Sequence, residues 1–97
     1  MATELTSAKV RDYLSKTRSA LEKLQVIAPD RSMARGCAED FLAMARAYFS
    51  DAEHFFEKGE MVNAFACVNY AHGWLDAGVR LGLFDVGGDD QLFTLYK

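Results

Sequence analysis

Proline occurs once in this 97-residue sequence and cysteine twice. One proline and an aromatic content of 12% exclude the composition of a disordered or proline-rich chain. Cys37 and Cys67 are too few for a disulfide framework or a cysteine-based metal centre, and both fall inside helical patterns. They are expected to be a reduced pair of small core residues. No apolar run approaches the roughly 20 residues that cross a bilayer, and "MATELTSAKVRDYLSK" carries charges where a signal peptide has its apolar stretch. These features predict a cytoplasmic protein with no membrane partner. Positive charge is not in excess either, since 11 Lys and Arg stand against 14 Asp and Glu, a net charge of -3. Phosphate backbones attract clustered cations, so nucleic acid is not an expected partner. Repeats with periods of roughly 20 to 50 residues are missing, which excludes a solenoid.

What is present is the composition of a globular protein, 51% hydrophobic and 26% charged. The length suits one domain, residues 1–97, with a modest core. Three helices are expected, over about 4–28, 33–58 and 61–81, followed by a tail over 83–97. In the first, Val10, Leu14, Thr17, Leu21, Leu24 and Ala28 recur at spacings of three and four, one stripe of a helix. Pro29 disfavours a helical Ala28, and Ser32 is placed to cap the second helix. That helix gathers Phe41, Met44, Tyr48, Phe55 and Phe56 in one apolar sector, with Glu39, Arg46, Glu53 and Glu57 opposite. Gly59 stands where a left-handed residue ends a helix, and so short a connection makes helices two and three antiparallel neighbours.

The third helix has apolar and small residues around most of its circumference and is expected to be the most buried. Ala66, Tyr70, Gly73 and Ala77 form a sector separate from the one that holds Val68 and Leu75, and two sectors suit two neighbours. Gly73 and Gly78 suggest close backbone approach or a partner pressed against the helix, because a mid-helix glycine costs about 1 kcal/mol relative to alanine. After Gly82 the tail places "LFDV" and "LFTLY" around "GGDDQ", an extended arm or hairpin that must pack on something. The fold class is therefore all-α, a three-helix up-and-down bundle with a short extended or hairpin tail.

The run from Ala38 to Val86 resembles the archaeal family known as domain of unknown function 357, through "YF-DA" at 48–52, "EKG" at 57–59, "NAFA" at 63–66 and "NYAHGWLDAG" at 69–78. The resemblance implies a three-helix bundle and an archaeal source, and it brings no activity with it. One departure is Glu60, where an aspartate would make a better helix cap.

Candidate chemistry lies on the third helix. Asn69, His72, Asp76 and Arg80 are three, four and four residues apart and share a stripe about 80° wide. Asp76 can pair with Arg80 or hold one nitrogen of His72 and set its tautomer. Three readings stand open: a polar network fixing the register of the bundle or of a dimer, a solvated edge, or a site completed by Tyr48 or Asp51. An enzyme would need a nucleophile, a phosphate loop or paired carboxylates, and none is recognisable. Cys67 lies about 140° around the helix from His72, too far for a thiolate–imidazole pair. One His and one Asp make an incomplete metal set, and no metal or cofactor is expected. His54 with Asp51 and Glu57 reads as a solvated face, and Asp85, Asp89 and Asp90 as a turn lacking the ligand pattern of a calcium loop. Met33, Met44 and Met61 are expected core filler. The sector around Tyr70 and Trp74 needs cover beyond three helices, which favours self-association as a homodimer. The expected function is a non-enzymatic interaction or scaffold module, with small-ligand binding or hydrolysis at the polar stripe as the alternative.

Overall fold

The computed structural model describes residues 5–85 as three helices and a two-stranded ribbon: α1 (Ser7–Lys23), β1 (Gln25–Val26), α2 (Met33–Glu57), α3 (Met61–Arg80) and β2 (Phe84–Asp85). Each helix boundary has a local cause. The Thr6 hydroxyl accepts a hydrogen bond from the Lys9 amide at 3.1 Å and starts α1. Ser32 starts α2 in the same way, accepting from the Arg35 amide at 3.0 Å while its hydroxyl donates to the Pro29 carbonyl. Arg35 then ties the preceding turn down by donating to the Ala28 carbonyl at 2.9 Å. Glu60 makes no side-chain cap for α3; its carboxylate accepts from the Asn63 amide side chain instead.

Two glycines end α2 and α3 by the same device. Gly59 and Gly82 have φ of 80° and 79°, the left-handed region where a Cβ is penalised. At each end the amide of the glycine and that of the next residue turn back to the last-turn carbonyls, Gly59 to Phe56 and Glu60 to Phe55, Gly82 to Val79 and Leu83 to Gly78. The α2–α3 turn is therefore as short as the sequence predicts, and the two helices run antiparallel.

α1 departs from expectation. It ends at Lys23 rather than near Ala28, and Gln25–Val26 pairs antiparallel with Phe84–Asp85. From Leu24 to Ala28 burial alternates, with Leu24, Val26 and Ala28 turned inward and Gln25 and Ile27 outward. That is the two-residue period of a strand, adopted by a stretch holding the β-branched pair Val26–Ile27. Ile27 adds a backbone bond to the Leu83 carbonyl at 2.9 Å. Of the expected hairpin, Phe84–Asp85 pairs with β1, and the turn and "LFTLY" lie outside the described residues, as do Asp89 and Asp90.

The core has two halves. At the ribbon end Leu75, Leu83 and Phe84 pack with Ala20, Ala38 and Ala45; at the other end Val10, Leu14, Phe49 and Val68 pack with Ala52 and Ala64. Phe49, outside the expected aromatic sector, is the most buried aromatic of α2. Small residues recur every seven positions on both antiparallel helices, Ala38, Ala45 and Ala52 on α2 and Ala64, Ala71 and Gly78 on α3, all buried. Small buried residues of this kind permit two helices to pack closely. α1 covers this pair partly through cations laid on aromatic faces, Arg11 over Phe56 and Arg18 over Phe49, with Arg18 also paired to Glu53.

Three further expectations are refined. α3 has the most buried residues of the three helices, as expected, but they form one face, Ala64, Val68, Ala71, Leu75 and Gly78, while Val62, Ala66, Tyr70 and Gly73 are exposed. A wide apolar circumference signals burial only if neighbours exist on every side, and α1 and α2 supply only two. Cys37 and Met33 are exposed rather than core, Met33 at 89%, in a stretch, residues 33–37, of which only Arg35 is partly covered. Gly78 is a close approach, since a Cβ there would overlap the Phe84 ring, whereas Gly73 has nothing near it.

Candidate functional site

The polar stripe of α3 lies along the seam with α1. His72 is half-buried there, its Nδ1 3.3 Å from the Thr17 hydroxyl. Thr17 is itself buried, so this polar pair sits inside the α1–α3 contact. Burial lowers the pKa of His72 below its ordinary value; nearby Lys16 pushes the same way and Asp76 opposes both. The imidazole is therefore neutral at pH 7. The contact extends Thr17 and His72 into a zipper with the Tyr13 and Phe65 rings, whose centroids are 5.1 Å apart.

Asp76 accepts from Arg80 Nε at 3.3 Å through one carboxylate oxygen, the helical ion pair that the four-residue spacing predicts. Its other oxygen, Oδ1, is buried with no hydrogen-bond partner among the described residues. Asn69 is exposed and turns away from the α1 seam toward a groove shared with Tyr48 and Tyr70. The stripe is thus divided: His72 meets α1, Asp76 is half-buried, and Asn69 and Arg80 are exposed.

Tyr48 and Asp51 lie on the α2 side. The Tyr48 ring stands edge-on to Tyr70, centroids 4.4 Å apart, and Asp51 is close enough to Cys67 to raise the thiol pKa, an effect added to that of burial. Cys67 and His72 project from well-separated sectors of α3, so neither Tyr48 nor Asp51 completes a site around the imidazole. With its pKa raised, Cys67 is a poor nucleophile. Among the described residues no group of three or more His, Cys, Asp and Glu side chains is arranged to hold a metal ion. No described helix is long and apolar enough to cross a membrane.

A second feature is an aromatic ladder along the outer edge of the α2–α3 seam. Phe41 meets Trp74 at 5.1 Å, Trp74 meets Tyr70 at 6.3 Å and Tyr70 meets Tyr48 at 4.4 Å, each pair near perpendicular. Tyr70, 54% exposed, stands between two depressions. One, of about 460 Å³, is lined by Tyr48, Ala66, Cys67, Asn69 and Tyr70; the other, of about 200 Å³, by Tyr70, Gly73 and Trp74. The Trp74 indole N–H is buried in the ladder without an acceptor among the described residues. Val62 and Leu81, 73% and 66% exposed, extend the apolar outer surface of α3 to both ends. The unfilled sector around Tyr70 and Gly73 was legible from residue angles; the opening beside Gly73 was not, because glycine in a helix signals either crowding or space.

Comparison with known proteins agrees with the architecture. Residues 12–84 match the family described as protein of unknown function, DUF357. The fold is similar to the crystal structure of a DUF357 protein from the archaeon Archaeoglobus fulgidus, with a TM-score of 0.67 and 26% identity over 82% of this chain and 91% of that one. No curated protein matches.

Proposed function

We propose that this chain, which belongs to the DUF357 family of proteins of unknown function, is a non-enzymatic helical interaction module that self-associates through the outer face of α3. The observation that carries this reading is the exposed apolar band from Val62 through Tyr70 to Leu81 on a helix whose opposite face is already the core. Apolar surface of this kind, continuous along a helix and free of charge between its ends, is what partner helices cover. The polar stripe has a different part. His72 with Thr17 ties α3 to α1, while Asp76 with Arg80 pairs along α3 itself.

Sedimentation equilibrium across about 1 to 100 µM tests the proposal, since an interface of a single helix face is small and its affinity modest. The expected result is a concentration-dependent dimer that Tyr70→Glu converts to monomer with the helical circular dichroism spectrum retained. A monomer at every concentration would overturn it.

The stripe supports a second reading, ligand binding or hydrolysis, on one observation: the buried, unpartnered Oδ1 of Asp76 near a neutral imidazole. Against it stand the existing engagements of His72 with Thr17 and of Asp76 with Arg80. His72→Ala and Asp76→Asn separate the two. A site built at some cost to stability would tolerate both changes, whereas a packing network would lose stability with each.

A further inference from the structure

We infer that two copies of this chain pair through α3 in antiparallel orientation, about a two-fold axis passing between residues 71 and 72, with each Tyr70 seated over the partner's Gly73. The inference rests on the self-association proposed above and adds its geometry. Asn63, Ala66, Tyr70, Gly73, Ala77 and Arg80 follow one another at spacings of three, four, three, four and three, the seam of a helix pair. Five of the six are exposed and Ala77 is half-buried, so among the described residues no helix lies opposite the seam.

The order of residues along the seam selects the orientation. Antiparallel pairing about its centre sets Tyr70 level with the partner's Gly73, Ala66 with the partner's Ala77, and Asn63 with the partner's Arg80, each twice. The protruding ring then meets the open hollow lined by Gly73 and Trp74, where a glycine with nothing within 4 Å leaves room for it. A two-fold interface requires such a match of a patch with itself, ridge to hollow and hollow to ridge. Parallel pairing would instead oppose ring to ring and leave glycine facing glycine.

Charge points the same way. Glu60 at the start of α3 and Arg80 in its last turn are both exposed and about 30 Å apart along the helix. Antiparallel pairing sets each Glu60 near the partner's Arg80, while parallel pairing places like charge on like. Asp76 is the only Asp, Glu, Lys or Arg between Met61 and Val79, and it is half-buried. Val62 and Leu81 come level with one another at both ends of the pair and cover apolar surface that each subunit alone leaves in water.

Cross-linking reads the register directly. With Cys37 and Cys67 replaced by serine, Ala66→Cys and Ala77→Cys proteins are oxidised separately and as a mixture. The inference expects a disulfide dimer from the mixture alone. Two copies of position 66 would lie about 16 Å apart along the pair, beyond the roughly 7 Å that a disulfide spans. Cross-linking of each variant with itself would overturn the antiparallel geometry and leave self-association standing; a monomer at all concentrations would overturn both. An exchange of sizes gives an independent measurement. Tyr70→Ala and Gly73→Leu are each expected to weaken dimerisation about tenfold or more, and the double variant to recover most of the loss, because the new leucine fills the space the ring vacates. A double variant no better than the worse single one would overturn the seating of Tyr70 on Gly73.

Discussion

The inner and outer faces of α3 are built from similar residues at similar spacings, and they differ in what lies opposite. Inside, Ala64, Ala71 and Gly78 face the core and are buried. Outside, Ala66, Gly73 and Ala77 follow a comparable spacing, and Gly73 looks into open space. Small residues permit close approach without enforcing it. A sequence pattern of this sort therefore says where a helix can come near, and the count of available helices decides whether one does. With three helices among the described residues, α3 has one face more than α1 and α2 cover.

The comparison breaks most visibly under truncation of a leucine on each face. Leu75 is fully buried and Leu81 is 66% exposed, on the same helix and less than two turns apart. Leu75→Ala is expected to cost about 3 kcal/mol, the loss of transfer energy plus a residual cavity. Leu81→Ala should cost less than about 0.5 kcal/mol in the monomer, as for surface changes generally. Urea unfolding of dilute protein measures both, and similar losses for the two would mean that Leu81 is covered within the subunit.

The two glycines give a smaller contrast of opposite sign. At Gly78 a methyl group would overlap the Phe84 ring, which is itself 3% exposed and has little room to shift. Gly78→Ala is expected to lose roughly 1 to 3 kcal/mol, the usual cost of overpacking, less the gain in helix propensity. Gly73→Ala meets nothing and should gain up to about 1 kcal/mol in the monomer. Thermal unfolding of the two variants would show midpoints moving apart; movement in the same direction would remove the distinction between the faces.

How far the sequence foretold this arrangement depended on whether a residue's meaning was local. α2 and α3 were legible to within a residue because Ser32, Gly59 and Gly82 act on their own backbone. The end of α1 was not, since Leu24 and Ala28 fit both a helical stripe and a strand alternation. Its true partner, Phe84–Asp85, lies some sixty residues along the chain. In the candidate site the spacing of His72, Asp76 and Arg80 announced the ion pair, but Thr17 belongs to another helix. One signal for it was available: a threonine within the apolar stripe of α1 calls for a polar group opposite, and His72 supplies one. Gly73 and Gly78 look alike in sequence, and only the position of Phe84 separates them.

Between the two faces runs the α1 seam, and acid should loosen it before it touches the outer band. In the unfolded chain His72 takes up a proton near its ordinary pKa of about 6.5, whereas in the fold burial and Lys16 hold the pKa lower, against the pull of Asp76. In the interval between those two values the unfolded state binds more protons, so stability rises with pH there. The contribution of the neutral imidazole is complete above the ordinary pKa and is lost as pH falls through the lowered one. His72→Gln cannot titrate and keeps a polar group facing Thr17. The difference in unfolding free energy between wild type and His72→Gln should therefore move against wild type on going from about pH 7 to pH 5, while carboxylate effects common to both cancel. Parallel pH profiles for the two proteins would show that His72 is no more buried folded than unfolded, and would move the boundary between covered and uncovered surface of α3 onto the imidazole itself.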